Sequence, residues 1–376
     1  MRDRFLLTLL IGPRLPVPAP KPVLEALSSV QVTVSAGQRS GFQLGFTLAK
    51  RSLLTTTLLP AGYFDPGRRV ILVVTVNGFP NVLMDGIITR QEVAPSNDLG
   101  RSTLTVTGED LSVLMDLEQR KADALPPGLA ATMVATVIAK PAYAAVGLTP
   151  LVVPELFPFI ASPTSQVRFS EGTDLQFIQA QAKEHGYVFY VEPGPFPGQS
   201  VAYWGPEIRI GIPQPALNVD MDAHTNVESL SFSFDGMSRT EIGLVVQEPT
   251  TKLAITVPLP PISLLRPPLA ARQAPALRVE QLDDVAKLNP FQAVAKGLAK
   301  ASESADAVSG SGQLDVLRYG RILKPRGLVG VRGAGRAYDG LYFVKSVTHN
   351  LRPGEYKQSF TLSRNGLISL TPAVVP

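Results

Sequence analysis

Alternation with a period of two recurs towards both ends of this chain and limits what it can build. Val30, Val32 and Val34 alternate with Gln31 and Thr33, and Phe42, Leu44, Phe46 and Leu48 alternate with Gln43, Gly45 and Thr47. Much later, Leu230, Phe232 and Phe234 alternate with Ser229, Ser231 and Ser233. Near the end Tyr356, Gln358, Phe360 and Leu362 oppose Lys357, Ser359, Thr361 and Ser363. Successive strand side chains point to opposite faces, so each stretch predicts a half-buried strand with one wet face. The links between strands are short. Ala36 to Gly41 turns the first pair, and Asn77-Gly78 makes a hairpin between Arg69–Val76 and the return strand Val82 to Glu92. Asp85-Gly86 reads as a bulge or bend in that return strand, and Ser102 to Thr107 follows as another strand. Many short strands with brief turns predict a compact antiparallel barrel or sandwich. The C-terminal end repeats the style with Gly327 to Gly333, Leu341 to His349, a turn at Arg352-Pro353-Gly354, and Glu355 to Ser363.

Between these β regions the pattern changes. Gln166 to Val191 spells a strand, a capped helix and a second strand. Thr173 can cap the helix, and Gln176 can reach back to the cap's own amide. Leu175, Ile178 and Ala182 fall on one stripe, Gly186 can end the helix in the left-handed conformation, and Tyr187 to Val191 resumes β structure. Upstream, Gly108-Glu109-Asp110 precedes a predicted helix over 111–120, where both carboxylates favour the helix N-terminus. Leu129 to Ile138 predicts a further helix.

Proline marks the excursions. Pro13 to Pro22 reads as an extended surface arm, and Pro258 to Pro275 lacks any strand period. Asn289 and Pro290 start a predicted helix through Ala301, and Ser309-Gly310-Ser311-Gly312 reads as a flexible tether. Met1 to Ile11 reads as a first strand, because Asp3 and the following prolines make a poor signal peptide. The expected fold is mainly β with a smaller α+β part: two tube-like antiparallel β-barrel modules flanking a mixed middle domain. Residues 1–112 form the first barrel, 113–205 the middle, and 206–376 the second barrel with an insertion at 250–312.

Chemistry is sparse. With 376 residues, 45% hydrophobic and 18% charged, the chain can bury substantial cores. It has no cysteine, which removes thiolate metal sites and cysteine nucleophiles. The three histidines, His185, His224 and His349, show no metal-ligand spacing, and a helix end and a strand end account for His185 and His349. No nucleophile elbow, phosphate loop or dinucleotide fingerprint occurs, and Gly330 to Gly335 reads as a turn. A net charge of +4 without basic runs gives no support to nucleic-acid sequence recognition, and no apolar run is long enough to cross a membrane as a helix. No catalytic, cofactor-binding or metal-binding residue is expected, and no cofactor.

Phe169 to Phe177 running into Glu184 to Tyr190 resembles the signature of the phage late-control D and VgrG family of baseplate hubs. Tyr338 to His349, followed by Tyr356 to Leu362, is similar to that family's closing hairpin. Asp85-Gly-Ile-Ile-Thr89 and Thr107-Gly-Glu-Asp-Leu111 match its N-terminal barrel more loosely. The resemblance covers nearly the whole chain in order. It implies a non-enzymatic homotrimer in which each chain supplies two tube-like barrels, matching a six-fold tail tube to a three-fold spike. The implied partners are an inner tube protein, a central spike protein and baseplate wedge components. The implied location is a virion tail or injection particle, assembled in the bacterial cytoplasm. VgrG proteins continue into a β-helical spike whereas this sequence stops at Pro376, so a separate spike protein is expected. A tail-associated peptidoglycan hydrolase and a carbohydrate-binding β protein are the alternatives; the first would need a concave site with two acids, the second aromatics exposed on one face.

Overall fold

The computed structural model describes residues 5–97, 102–124, 129–155, 169–247, 254–259, 266–282, 305–371 and 374, with 294, 296–298, 300 and 301. Its main body is antiparallel β. Phe5–Gly12, Leu27–Ser35, Gly41–Leu48, Arg69–Val76, Phe79–Ala94 and Ser102–Asp110 form a first module. Gln214–Asn218, Val227–Phe234, Val308–Asp315, Leu328–Arg332, Gly340–Arg352 and Glu355–Arg364 form a second. Both belong to one 13-stranded sheet. They join where Leu27–Ser35 lies antiparallel to Gly340–Arg352, with Ser35 opposite Ser346 and Val30 opposite Leu351.

The predicted alternation holds at this seam. Val30, Val32, Val34, Phe42, Leu44 and Phe46 are buried, and with Val347, Tyr356, Phe360 and Leu362 they enter a single apolar core common to both modules. Burying apolar surface at about 25 cal/mol per Å² makes that continuous core the main stabiliser of the pair. Asn77 and Gly78 both have positive φ, 52° and 86°, as a type I′ hairpin turn requires.

A second core lies in the middle of the chain. Val188–Pro193 pairs antiparallel with Ser200–Gly205, which also runs parallel to Leu148–Val152. The helices Ala130–Ile138 and Asp174–His185 contribute Val134, Val137, Leu175, Ile178 and Ala182, and Trp204 from the sheet is fully buried among them. The helix at 174–185 has both halves of the expected capping box, and Gly186 closes it at φ 67°.

Several expectations change. Ser309-Gly310-Ser311-Gly312 is no tether: it is the centre of Val308–Asp315, hydrogen-bonded on both sides to Val227–Phe234 and Glu355–Arg364. Its glycines leave room for rings from the neighbouring strands; a Cβ on Gly310 would lie 2.9 Å from Phe232, and one on Gly312 2.7 Å from Phe360. The bulges in Phe79–Ala94 fall between Val82 and Met84 and between Ile88 and Arg90, not at Asp85-Gly86, where buried Asp85 holds Arg69. The helix expected over 111–120 is one short 3-10 stretch, Leu111–Asp116, because the chain turns back into strand at 120. The stretch Pro13 to Pro22 is largely the extended surface segment expected, with exposed Val17–Pro18 paired to the first strand, but it ends in a helix, Lys21–Ala26, that buries Val23. Within Pro258 to Pro275, Ala270–Gln273 is a strand paired with Gly366–Ser369. Gly330 to Arg332 is strand, and the turn begins at Gly333. Asn289 and Pro290 lie outside the described residues, although residues 294, 296–298, 300 and 301 are helical, with Val294 and Leu298 packed on Ile242 and Leu282.

Candidate functional site

Eight consecutive strands of the large sheet form a continuous surface across both modules, from Val227–Phe234 at one end to Phe79–Ala94 at the other. One side is the apolar core. The opposite side carries short neutral polar groups whose cross-strand register is continuous. Ser231, Ser311, Thr361, Ser346 and Ser35 lie in one transverse row. Ser229, Gln313, Ser359, Thr348 and Thr33 make the next row. Thr103, Thr105 and Thr107 extend the same side in the first module opposite Thr47, Gly45 and Gln43. Hydroxyls bond across the strands: Ser346 to Thr361 at 2.6 Å, Thr33 to Thr348 at 3.1 Å and Ser231 to Ser311 at 3.1 Å. The charges at the edge of this field are paired. Lys357 bridges Glu228 at 2.9 Å and Glu355 at 3.1 Å, and Arg90 pairs with Glu92. Such a surface is hydrated, has no aromatic stacking platform, and attracts neither sign of charge strongly.

Both outer edges of this surface are unpaired among the described residues. Beyond Ile88, Phe79–Ala94 pairs only with Ser102–Asp110, and Val227–Phe234 pairs only with Val308–Asp315, among the described strands. The edges sit at opposite ends of the surface and repeat the same two-sidedness. Gln91 and Val93 share the side of Val106 and Leu104, and Phe232 and Phe234 share the side of Gly310 and Val308; Arg90, Glu92, Ser231 and Ser233 take the polar side.

The motif residues lie elsewhere, at the border with the middle unit. Asp85 receives two hydrogen bonds from Arg69, at 2.7 and 2.6 Å, and a third from Ser200 at 3.1 Å. Arg69 also donates to the carbonyl of Gly198, fastening the 194–199 loop to the first module. Asp110 caps the 3-10 turn by accepting from the Ser112 amide at 2.9 Å and from Ser40 at 2.6 Å. Burial pushes its carboxyl up against those bonds. The expectation of a capping carboxylate holds for Asp110, whereas Glu109 turns away to Arg39 at 3.0 Å. Arg39 also grips Asp116, which accepts from the Thr173 hydroxyl at 2.7 Å; these bonds hold the Asp116 carboxyl below its usual range. Asp174 accepts from Lys140 at 2.7 Å and from the Tyr143 hydroxyl at 2.7 Å. The recognisable sequence thus encodes joints between parts.

Arg326 is a joint that no sequence pattern signals. It donates to the carbonyl of Ser35 at 2.9 Å and to Glu192 at 3.2 Å, and stacks 3.7 Å above the ring of Tyr190. A first-module strand, the middle unit and the second module therefore meet at one side chain. A second cluster joins Arg209 to Asp306 at 2.6 and 2.7 Å and to Glu207 at 2.8 Å. Burial alone would lower the Arg209 pKa, but these carboxylates leave it raised.

The histidines do not converge. His185 hydrogen-bonds the Gln181 carbonyl at 2.8 Å in the last helical turn, and His224 lies exposed in a 3-10 turn. His349 is buried mid-strand, not at a strand end, 2.8 Å from the Tyr356 hydroxyl. Burial pushes its pKa down to about 4. Among the described residues no group of three His, Asp or Glu is placed to hold a metal, and no helix is long and apolar enough to cross a membrane.

No protein-family model and no curated protein matches the chain. Solved structures do. A prophage MuSo2 tail protein of 43 kDa from Shewanella oneidensis superposes with a TM-score of 0.64 at 15% identity, covering 96% of this chain and 98% of that one. A tail protein from Neisseria meningitidis MC58 gives 0.61 at 14% identity, covering 97% and 98%. The fold is that of tail proteins. An E. coli component of the type VI secretion system, described as similar to the T4 tail proteins gp27 and gp5, gives 0.52 at 11% identity over 93% of this chain and 77% of that one. The mainly antiparallel architecture expected from strand alternation is therefore shared, end to end, with tail proteins.

Proposed function

We propose that this chain is a structural hub of a contractile phage tail or injection apparatus, acting as a homotrimer between a six-fold inner tube and a separate three-fold spike. One observation carries the reading: a single sheet runs through two β modules, apolar on one side, hydroxyl-rich on the other, with edges at its opposite ends that no described strand covers. A contact between unlike edges is head-to-tail, and such contacts generate closed rings when the rotation permits. The shared two-sidedness of Thr89–Ala94 and Val227–Phe234 lets copies continue both faces across the join. Three copies would then place six modules around a channel with the Ser and Thr side inward. The tail and secretion proteins that share the fold favour the same reading.

In this reading residues 1–112 and 206–376 are the tube-like modules, 113–205 is a middle domain, and the insertion within 250–307 faces baseplate wedge components. Assembly would occur in the bacterial cytoplasm before incorporation into the particle. No bond-making step is involved; the work is geometric. Sizing with light scattering and negative-stain electron microscopy tests it. A ring of three 40.2 kDa chains is expected; a species that stays monomeric at every concentration, alone and with its tube and spike partners, would overturn it.

A further inference from the structure

The two edges that no described strand covers match in more than their faces. Eight strands run from one edge to the other, and every pairing along that path is antiparallel. With an even number of strands, Phe79–Ala94 and Val227–Phe234 run in opposite directions. A rotation about an axis along the channel keeps each strand's sense, so a join between unlike edges of two copies is antiparallel.

Backbone parity agrees. Asp110 donates its amide to the Ser40 carbonyl, which fixes the alternation along Ser102–Asp110 and turns Thr103, Thr105 and Thr107 towards 90–94. The N–H and C=O groups of Gln91 and Val93 are then left pointing out of the edge. At the other end Asp235 donates to the Ala307 carbonyl, so Ser229, Ser231 and Ser233 bond to Val308–Asp315. There the main-chain groups of Leu230, Phe232 and Phe234 point outward. All five outward residues carry their side chains on the core side, so hydrogen bonds between the edges continue both faces from copy to copy. Opposite parities would have set one copy's core side against the other's wet side.

Charge and exposure select the register. Val93 is 51% exposed and Phe234 37% exposed although both lie on the core side. With Phe232 opposite Val93, Gln91 covers Phe234, and Arg90 lies opposite Asp235 in a non-hydrogen-bonded pair, where side chains approach closest. Asp235 uses one oxygen to accept from the Met237 amide at 2.8 Å, and the Arg90–Glu92 contact is a solvent-exposed pair that contributes little. A slip of two residues one way sets Glu92 opposite Asp235, and like charges directly opposite destabilise. A slip of two the other way leaves Arg90 opposite Ser233, away from Asp235.

We propose that a second copy of this chain pairs its edge strand with this one in a single antiparallel register, Val93 opposite Phe232 and Arg90 opposite Asp235. The closure of three such joints around a channel rests on the hub reading above. The register within the joint is fixed by backbone parity and charge.

The chain has no cysteine, so introduced pairs report the joint alone. Glu92→Cys with Ser233→Cys puts two thiols at a non-hydrogen-bonded pair, within disulfide reach. Both positions are exposed, as are residues 90 and 235. Seven strand steps of about 4.8 Å separate the two cysteines in one chain, so a bridge forms only between copies. In the oxidised full chain this pair is expected to cross-link about tenfold or more faster than Glu92→Cys with Ser231→Cys or with Ser229→Cys, and to end in a closed covalent trimer. Arg90→Glu should weaken association about fivefold or more, and Arg90→Glu with Asp235→Arg should restore it, both read by analytical ultracentrifugation. Equal rates for the three cysteine pairs, or no recovery in the charge swap, would overturn the register. A trimer by sizing without in-register cross-linking sinks this joint and keeps the hub reading; in-register cross-linking that closes at another number does the reverse. A chain that never self-associates overturns both.

Discussion

The first β module packs Leu9, Val32, Phe46, Phe64 and Leu72 inside and sets two ion pairs at the border with the middle unit, Arg69 with Asp85 and Arg39 with Asp116. The second module takes polar groups into its own interior. His349 meets Tyr356, Gln358 bonds both the amide and the carbonyl of Leu323, and Arg364 gives its donors to the carbonyls of Gly366, Asp339 and Ala337. Among the described residues Arg364 has no carboxylate partner; its guanidinium also lies 4.3 Å over Tyr342, and burial lowers its pKa. The same strand plan is thus stabilised in two ways. Charged side chains tie parts together in both modules, through Arg69 in the first and Arg326 in the second, but only the second also takes His349 into its interior, which makes that half sensitive to protonation.

The largest expected effect is at the first module's border. Asp85→Ala strands the buried Arg69 guanidinium and should destabilise the fold by about 3–5 kcal/mol in chemical denaturation. Replacing both partners, Asp85→Leu with Arg69→Met, should recover most of that loss. No recovery would show that Ser200 and Gly198, rather than the ion pair, carry the joint.

Acid should separate the modules next. His349 is neutral when folded, with a pKa of about 4 against about 6.5 in an unfolded chain. The unfolded state therefore binds the proton first, and stability should fall as pH drops from about 6.5 to 4, by up to about 3 kcal/mol. Amide exchange at pH 4.5 should rise in Gly340–Arg352 and Glu355–Arg364 before it rises in Gly41–Leu48. His349→Gln should flatten that pH dependence. An unchanged profile would place the acid response elsewhere.

Smaller effects sharpen the contrast. Asp116→Ala removes the acceptor shared by Arg39 and Thr173 and should cost about 1–3 kcal/mol. Thr173→Ala loses the helix cap and should cost about 1 kcal/mol, while Thr173→Ser should cost a few tenths, both read from urea midpoints. Ser231→Ala with Ser311→Ala, on the wet side of the sheet, should stay within about 0.5 kcal/mol.

Much of the local structure was legible because local chemistry decides it. The capping box at Thr173 and Gln176, the left-handed Gly186, the Asn77-Gly78 hairpin and the alternation in Leu27–Ser35 and Glu355–Arg364 depend on residues a few positions apart. The glycines of 309–312 were misleading for a physical reason. Glycine is read as freedom when its neighbours are unknown, and here it is space for Phe232 and Phe360, which lie 78 and 48 residues from Gly310 and Gly312. Asp85-Gly86 failed similarly, because what Asp85 does depends on Arg69 and Ser200. The candidate surface was half legible: each strand's polar side could be read, but not the order in which the strands line up.

Period-two patterning by itself determined that this chain makes half-buried strands around a capped helical unit, since side-chain direction follows from the backbone alone. That Leu27–Ser35 pairs with Gly340–Arg352, merging two modules into one two-faced surface, was decided only by the tertiary structure. Backbone hydrogen bonds carry no address, and more than 300 residues separate the partners at the seam. The match is selected by the shared core behind it, where Val30, Val32 and Val34 meet Val347 and Leu351.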